Sequence, residues 1–287
     1  MALAGALAPA FPLPHPRWRW HRENLPPKGR RQANPVATHT TIPRWLPTGL
    51  RRILDLVLAP AVTMTELTGA SDETNATSDA TASITPSGNK LILVTIFNQV
   101  SAGSTANAPT LSGNGLTWVQ IDSGLVGTST EMRASLFRSM GASPSTGSIT
   151  ISFAGQEQLR CGWIVAEFGN VDTSGSSGSG AVVQSAANNA TGVTSLTVTL
   201  GAFGSANNAT YGCFGVAVNE DVSPGSGFAQ IDDFQVGTAN RRLFAEWRSD
   251  NDTSVDCSWT TAAGCRGFAV EIKAAAAGAA RTQVLVL

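Results

Sequence analysis

The chain has 287 residues, 42% hydrophobic, 14% charged and 7% aromatic, with 29 glycines and a formal net charge of −1. No apolar run reaches the ~18 residues of a membrane-spanning helix. The shortage of Lys and Glu beside plentiful Thr, Ser, Gly and Val favours strands and turns over exposed helices.

The near-neutral total hides a division. Residues 1–60 hold nine basic and two acidic side chains, 9 − 2 = +7. That leaves ten basic and eighteen acidic, −8, in the rest. Ten of the 14 prolines and all three histidines also lie in the first 60 residues. Such asymmetry predicts different jobs for the two parts. The opening MALAGALAPAFPLP has no basic n-region, and its prolines interrupt any apolar core, so it reads poorly as a signal peptide.

Prolines at 9, 12, 14, 16, 26, 27, 35, 43 and 47 remove amide donors and push their predecessors toward extended backbone. Residues 1–47 therefore read as an extended basic arm with polyproline II character. Within it, RWRWHRENLPPKGRR alternates arginine with tryptophan. Arg17, Trp18, Arg19, Trp20, Arg30, Arg31 and Trp45 are the candidate partner-binding residues of the arm. Arg and Trp dominate protein–protein hot spots. The same pair also suits phosphates and bases, or a membrane interface, so the arm's partner is left open among protein, nucleic acid and lipid. An acidic body offers a complementary surface to an arm from the next subunit.

TGLRRILDLVLAP, residues 48–60, places Leu50, Ile53, Leu54, Val57 and Leu58 at helical spacing, with Thr48 as cap and Pro60 as stop. The spacing predicts a short amphipathic helix and linker over 48–63, seated against its own domain, a neighbour or a membrane surface.

From residue 64 the period changes to two. SITISF (148–153), TSLTVTL (194–200) and RGFAVEIK (266–273) alternate apolar and polar residues, as half-buried antiparallel strands do. KLILVTIF (90–97) is apolar on both faces and reads as central. Further strand-like runs are LTWVQID, MRASLFRSM, CGWIVAEF, YGCFGVAVN, RRLFAEWR, SVDCSWT and the terminal TQVLVL, which should pair rather than stand as a free edge. Turns such as TPSGN, LSGNG and SPGSG separate them. The expected fold is all-β, an antiparallel, jelly-roll-like β-sandwich over 64–287. TSGSSGSG (173–180) reads as a loop within that sandwich. The echoes SAANNATG and SANNATYG flanking TSLTVTL are too short to make a repeat.

The succession SITPSGNKLILVTIFNQ, PTLSGNGLTWVQI, SLFRSMGASPSTGSITISF and CGWIVAEFGNVDTS resembles a β-sandwich module of bacteriophage virion proteins and environmental bacterial surface proteins. The resemblance covers about residues 64–275 and brings no catalytic motif. It implies a jelly-roll or lectin-like sandwich of a capsid-decoration, tail or fibre part, located in the virion or, failing that, outside the cell or on its surface.

Chemistry is sparse. His15, His21 and His39 lie in the arm, away from any scaffold that would build a triad, and neither a P-loop nor a GxSxG elbow occurs. Glu167, Glu246 and Glu271 are the candidates for a carboxylate pair, although Glu246 also reads as a solvent-facing residue opposite Leu243, Ala245 and Trp247. Asp250, Asp252 and Asp256, with Asn251, form an oxygen-rich turn that calcium could use, but Asp and Asn favour turns without any metal. Trp118, Trp163, Trp247 and Trp259 could stack on a glycan, though core positions suit tryptophan better. Cys161 with Cys213, and Cys257 with Cys265, could pair or remain buried thiols. The expectation is a structural protein without cofactor or metal. Its partners are other copies of itself or other virion proteins. The alternative is a carbohydrate-binding or adhesive module with a possible glycan partner.

Overall fold

A computed structural model describes residues 50–54, 59–238, 240–278 and 282–286, the first and last segments as backbone only. The chain divides into two compact units, 1–51 with 285–287, and 52–284. The second unit holds nearly everything described.

The strands are β1 (Leu50–Leu54), β2 (Thr63–Asp72), β3 (Ser78–Ala80), β4 (Leu91–Gln99), β5 (Thr110–Ser112), β6 (Val119–Leu125), β7 (Met132–Ser139) and β8 (Thr150–Ser152). They continue as β9 (Arg160–Gly169), β10 (Val182–Thr199), β11 (Ala209–Val216), β12 (Ser223–Pro224), β13 (Ala229–Gln235), β14 (Arg242–Arg248), β15 (Ser254–Ile272) and β16 (Thr282–Val286). No helix occurs among the described residues. The fold is all-β, and the pairings within the large sheets are antiparallel.

Two five-strand paths dominate, β2-β9-β4-β7-β6 and β10-β15-β11-β14-β13, with β12 added on β15. One core cluster draws Leu93, Phe97, Leu136, Ile164 and Phe168 from the first sheet and Tyr211, Cys213, Leu243, Phe268 and Val270 from the second. The sheets thus pack face to face, as the alternation of large apolar side chains along each strand requires.

Their outer faces are covered too. The sheet β3-β8-β5 lays Ile149, Ile151 and Phe153 over Ile92, Val94, Ile96 and Trp163. On the other side the long antiparallel β10–β15 pair loses register between Ala190 and Ser195 and folds back. Its far end lays Leu196, Val198, Val255, Cys257 and Trp259 over Phe214 and Phe244. Central strands are consequently buried on both faces, and β4 is buried along its whole length.

The two sheets are two copies of one pattern. Strand for strand, β2, β4, β6, β7 and β9 take the same order as β10, β11, β13, β14 and β15. Bulges fall between Gln120 and Asp122 in β6, and between Gln230 and Asp232 in β13. Both hairpins then turn through Val-Gly-Thr, where Gly127 (φ 60) and Gly237 (φ 73) adopt the left-handed backbone that glycine tolerates. The covers correspond as well. Ser78↔Ser152 and Thr110↔Ser152 in the first half match Ser195↔Ser258 and Ser223↔Ser258 in the second.

Two expectations change. The helix over 48–63 is absent where the chain is described: Leu50, Ile53 and Leu54 lie in strand β1, which pairs with β16. Apolar residues at 50, 53 and 54 suit either state, and a strand partner from the far end of the chain decides for β. Val57 and Leu58 lie outside the described residues. TSGSSGSG lies inside one compact unit, at the junction of its two repeated halves. The strand RGFAVEIK is buried on both faces rather than half-buried, because the folded-back end of the β10–β15 pair covers its second face.

Candidate functional site

Three buried carboxylates are the strongest chemical features of the body. Glu167 on β9 is 3% exposed. Its Oε2 accepts from the Ser87 amide at 2.5 Å and its Oε1 from Lys90 Nζ at 2.7 Å. Glu271 on β15 is 0% exposed and accepts from Gln184 Nε2 at 2.6 Å and Asn208 Nδ2 at 2.5 Å. These two glutamates occupy equivalent places. Glu167 stands next to Phe168, which pairs with Leu91, and Glu271 next to Ile272, which pairs with Ala209. Lys90 and Asn208 immediately precede those paired residues, so each half ties its second long strand to its last through one buried carboxylate.

Glu246 on β14 differs. It is 0% exposed, its Oε2 accepts from the Gly225 amide at 2.9 Å, and its Oε1 has no hydrogen-bond partner. Burial pushes its carboxyl up to about 8, with Asp256 and Asp252 adding in the same direction and the Gly225 amide opposing. The expected solvent-facing position is thereby corrected: the outer face of this sheet is roofed by the far end of the β10–β15 pair and the 223–225 segment.

None of the three carboxylates shares a hydrogen-bond partner with another. Their arrangement holds strands together. Lys90→Ala leaves Glu167 buried with one amide. Removing a partner from a fully buried pair costs about 3–5 kcal/mol. Because Lys90 is partly solvated, the expected loss is about 1–2 kcal/mol. Urea denaturation checks it, and an unchanged midpoint would show that water replaces the ammonium.

The oxygen-rich turn is occupied by the protein's own cation. Arg248 bonds Asp250 at 2.5 Å and Asp252 at 2.6 Å while lying 5.4 Å over the Phe228 ring. The Arg248 hydrogen bond holds the Asp250 carboxyl below its ordinary range. Asp256 sits apart on β15, opposite Thr197. Among the described residues no three His, Cys, Asp or Glu side chains converge as metal ligands.

All four cysteines are free and buried. Cys161 belongs to the outer core of the first half and Cys213 to the central core, so the considered pair does not form. Burial raises the Cys213 thiol to about 12 and Cys257 well above its usual value, which suppresses the reactive thiolate. Trp163 and Trp259 are core residues. Trp118 and Trp247 are half-buried against the same clusters. The one large apolar side chain exposed among the described residues is Val183, 49%. It borders a cleft of about 580 Å³ lined also by Ala59, Glu271, Lys273 and Ala274–Ala277.

Of the partner-binding candidates, Arg17, Trp18, Arg19, Trp20, Arg30, Arg31 and Trp45 lie outside the described residues. The feature that sequence reading missed is the seam between the halves. There, Gly127 N donates to Asn189 Oδ1 at 2.8 Å, and Asn189 Nδ2 donates back to Gly127 O at 2.9 Å. Reciprocally, Gly237 N donates to Ser71 Oγ at 3.4 Å and Thr238 N to Glu73 Oε1 at 2.6 Å. Asn189 lies opposite Arg266 in β15 as Ser71 lies opposite Gly162 in β9. Each Val-Gly-Thr turn therefore docks on the same position of the other half. The repeated words VQID…VGT and AQID…VGT were the available signal.

No family model, curated protein or solved structure matches this chain.

Proposed function

We propose that the chain is a non-enzymatic structural protein of a phage virion or a similar multi-subunit assembly, its N-terminal arm clamping neighbouring subunits. The observation that carries this reading is the strand order repeated in both halves. In the first, β2, β9, β4, β7 and β6 share one sheet while β3, β8 and β5 form the other. Setting strands one, eight, three and six against two, seven and four supports a jelly-roll-like wrapping, of the kind used by capsid and lectin domains, with strand five departing from that pattern by staying beside strand six. The +7 of residues 1–60 against −8 in the remainder supports an arm that seats on a neighbouring body. The carbohydrate-binding alternative calls for solvent-facing aromatics at a loop rim, and no described aromatic side chain is fully exposed.

The test keeps the full chain and reverses charge at Arg17, Arg19, Arg30 and Arg31, each to Glu. Sedimentation velocity of the native chain should show large particles that shrink at high salt, and the reversed chain should remain small. If both sediment alike, the clamp is wrong, and glycan binding by the body becomes the reading to examine.

A further inference from the structure

The two halves dock reciprocally, yet their contacts are not identical. In the first half the strand leading into the turn carries Gly124, and in the second half the same place holds Phe234, two residues before Val126 and Val236 respectively. On the receiving strands, Gly162 of β9 corresponds to Arg266 of β15, since each follows a cysteine that pairs alike with its neighbours, Cys161 and Cys265. A large residue therefore meets a glycine at both seams, with the roles exchanged.

The contacts are close. A Cβ on Gly162 would lie 2.8 Å from Val236 Cγ2 and 3.4 Å from Phe234 Cε2. A Cβ on Gly124 would lie 2.5 Å from Arg266 Cζ. The guanidinium is held there, with NH2 3.3 Å from Asp122 Oδ2 and Cζ 5.2 Å over the Phe268 ring. At the other seam no arginine among the described residues pairs with Asp232, and its carboxylate instead raises Glu66 to about 6, after burial as the larger cause.

We propose that Gly124, Arg266, Gly162 and Phe234 make each half selective for its sister half over another copy of itself. Two first halves would set Gly124 against Gly162 and leave a gap at each seam. Two second halves would set Phe234 against Arg266 and crowd each seam. Only the unlike pair fills both. The interface thus rejects wrong pairings by shape as well as accepting the right one, and the partner it fits is a unit of this same fold with the complementary residue set.

Full-length chains carrying Gly124→Phe, Arg266→Gly and both changes form a cycle. Each single change should lower the thermal midpoint by about 5 °C or more. The double should recover more than half of the summed loss, because it rebuilds at the first seam the Phe–Gly contact of the second. It should also lose selectivity. Every half then carries Phe on one strand and Gly on the other, so refolding at high protein concentration should yield exchanged dimers beyond those of the native chain. A milder cycle covers the case in which Gly124→Phe does not fold: Gly162→Ala should partly rescue Val236→Ala by filling its space. Additive losses in the cycle that folds, or equal exchange by the native and double-variant chains, would overturn the proposal.

Discussion

The unfolding free energy of the native chain should fall as pH rises from 5 to 8, and Glu246→Gln should flatten much of that fall. The carboxyl of Glu246 is raised from 4.5 to about 8 in the folded state. Between those values the folded chain binds a proton that the unfolded chain has released. Stability from this group is therefore complete below about 4.5 and is lost progressively up to about 8. One pKa unit corresponds to 1.36 kcal/mol, which sets a ceiling of about 5 kcal/mol. Structural relaxation brings the expectation to about 3 kcal/mol. Glu66 and Asp79, both raised to about 6, act in the same direction, so the stretch from pH 6 to 8 belongs mainly to Glu246. Glutamine keeps the shape and can still accept from the Gly225 amide. Guanidinium titrations of both chains at pH 5, 6.5 and 8 decide the matter. Parallel curves at all three values would mean that the buried carboxylate finds a partner once ionised.

Phe168→Ala should cost about 3–5 kcal/mol, the range for emptying a large aromatic site in a core, and should lower the thermal midpoint by roughly 10 °C. Phe168 is 0% exposed and makes edge-on contacts with Tyr211 at 5.8 Å and Trp247 at 6.2 Å. Both rings come from the second half, so the substitution removes aromatic pairing as well as apolar area across the central core. Phe153→Ala is the matched control, because Phe153 lies in the outer core of the first half. If the halves unfold as one cooperative body, both variants give a single transition. A second, earlier transition in Phe168→Ala alone would show that the central core couples otherwise separable halves.

Much of the fold is legible in short words. SITISF and TSLTVTL alternate because one face meets a core, and KLILVTIF does not because both faces do. The duplication is harder to read. Val119 answers Ala229, Leu91 answers Ala209 and Cys161 answers Cys265, so the separation changes from strand to strand as the loops differ. A fixed-period comparison therefore dissolves the repeat. The burial of Glu246 and Glu271 was equally hidden. Local alternation places a side chain on a face, while only the far end of the β10–β15 pair decides whether that face is wet. The spacing of Leu50, Ile53 and Leu54 failed for a related reason, since the partner strand Thr282–Val286 lies at the other end of the chain. The candidate residues of the arm were chosen by composition alone, and nothing in the body's strand pattern bears on them.

Joining two complementary halves through residues 170–181 changes the order of their encounter. Separate units would meet at a rate set by their concentration and would part on dilution. A short tether holds each at an effective concentration on the order of mM near its sister. Pairing becomes a first-order step, finished within one chain before any other chain is met. The smallest unit available to a larger structure is then already a closed pair, and dilution can take that structure apart without dividing the pair itself.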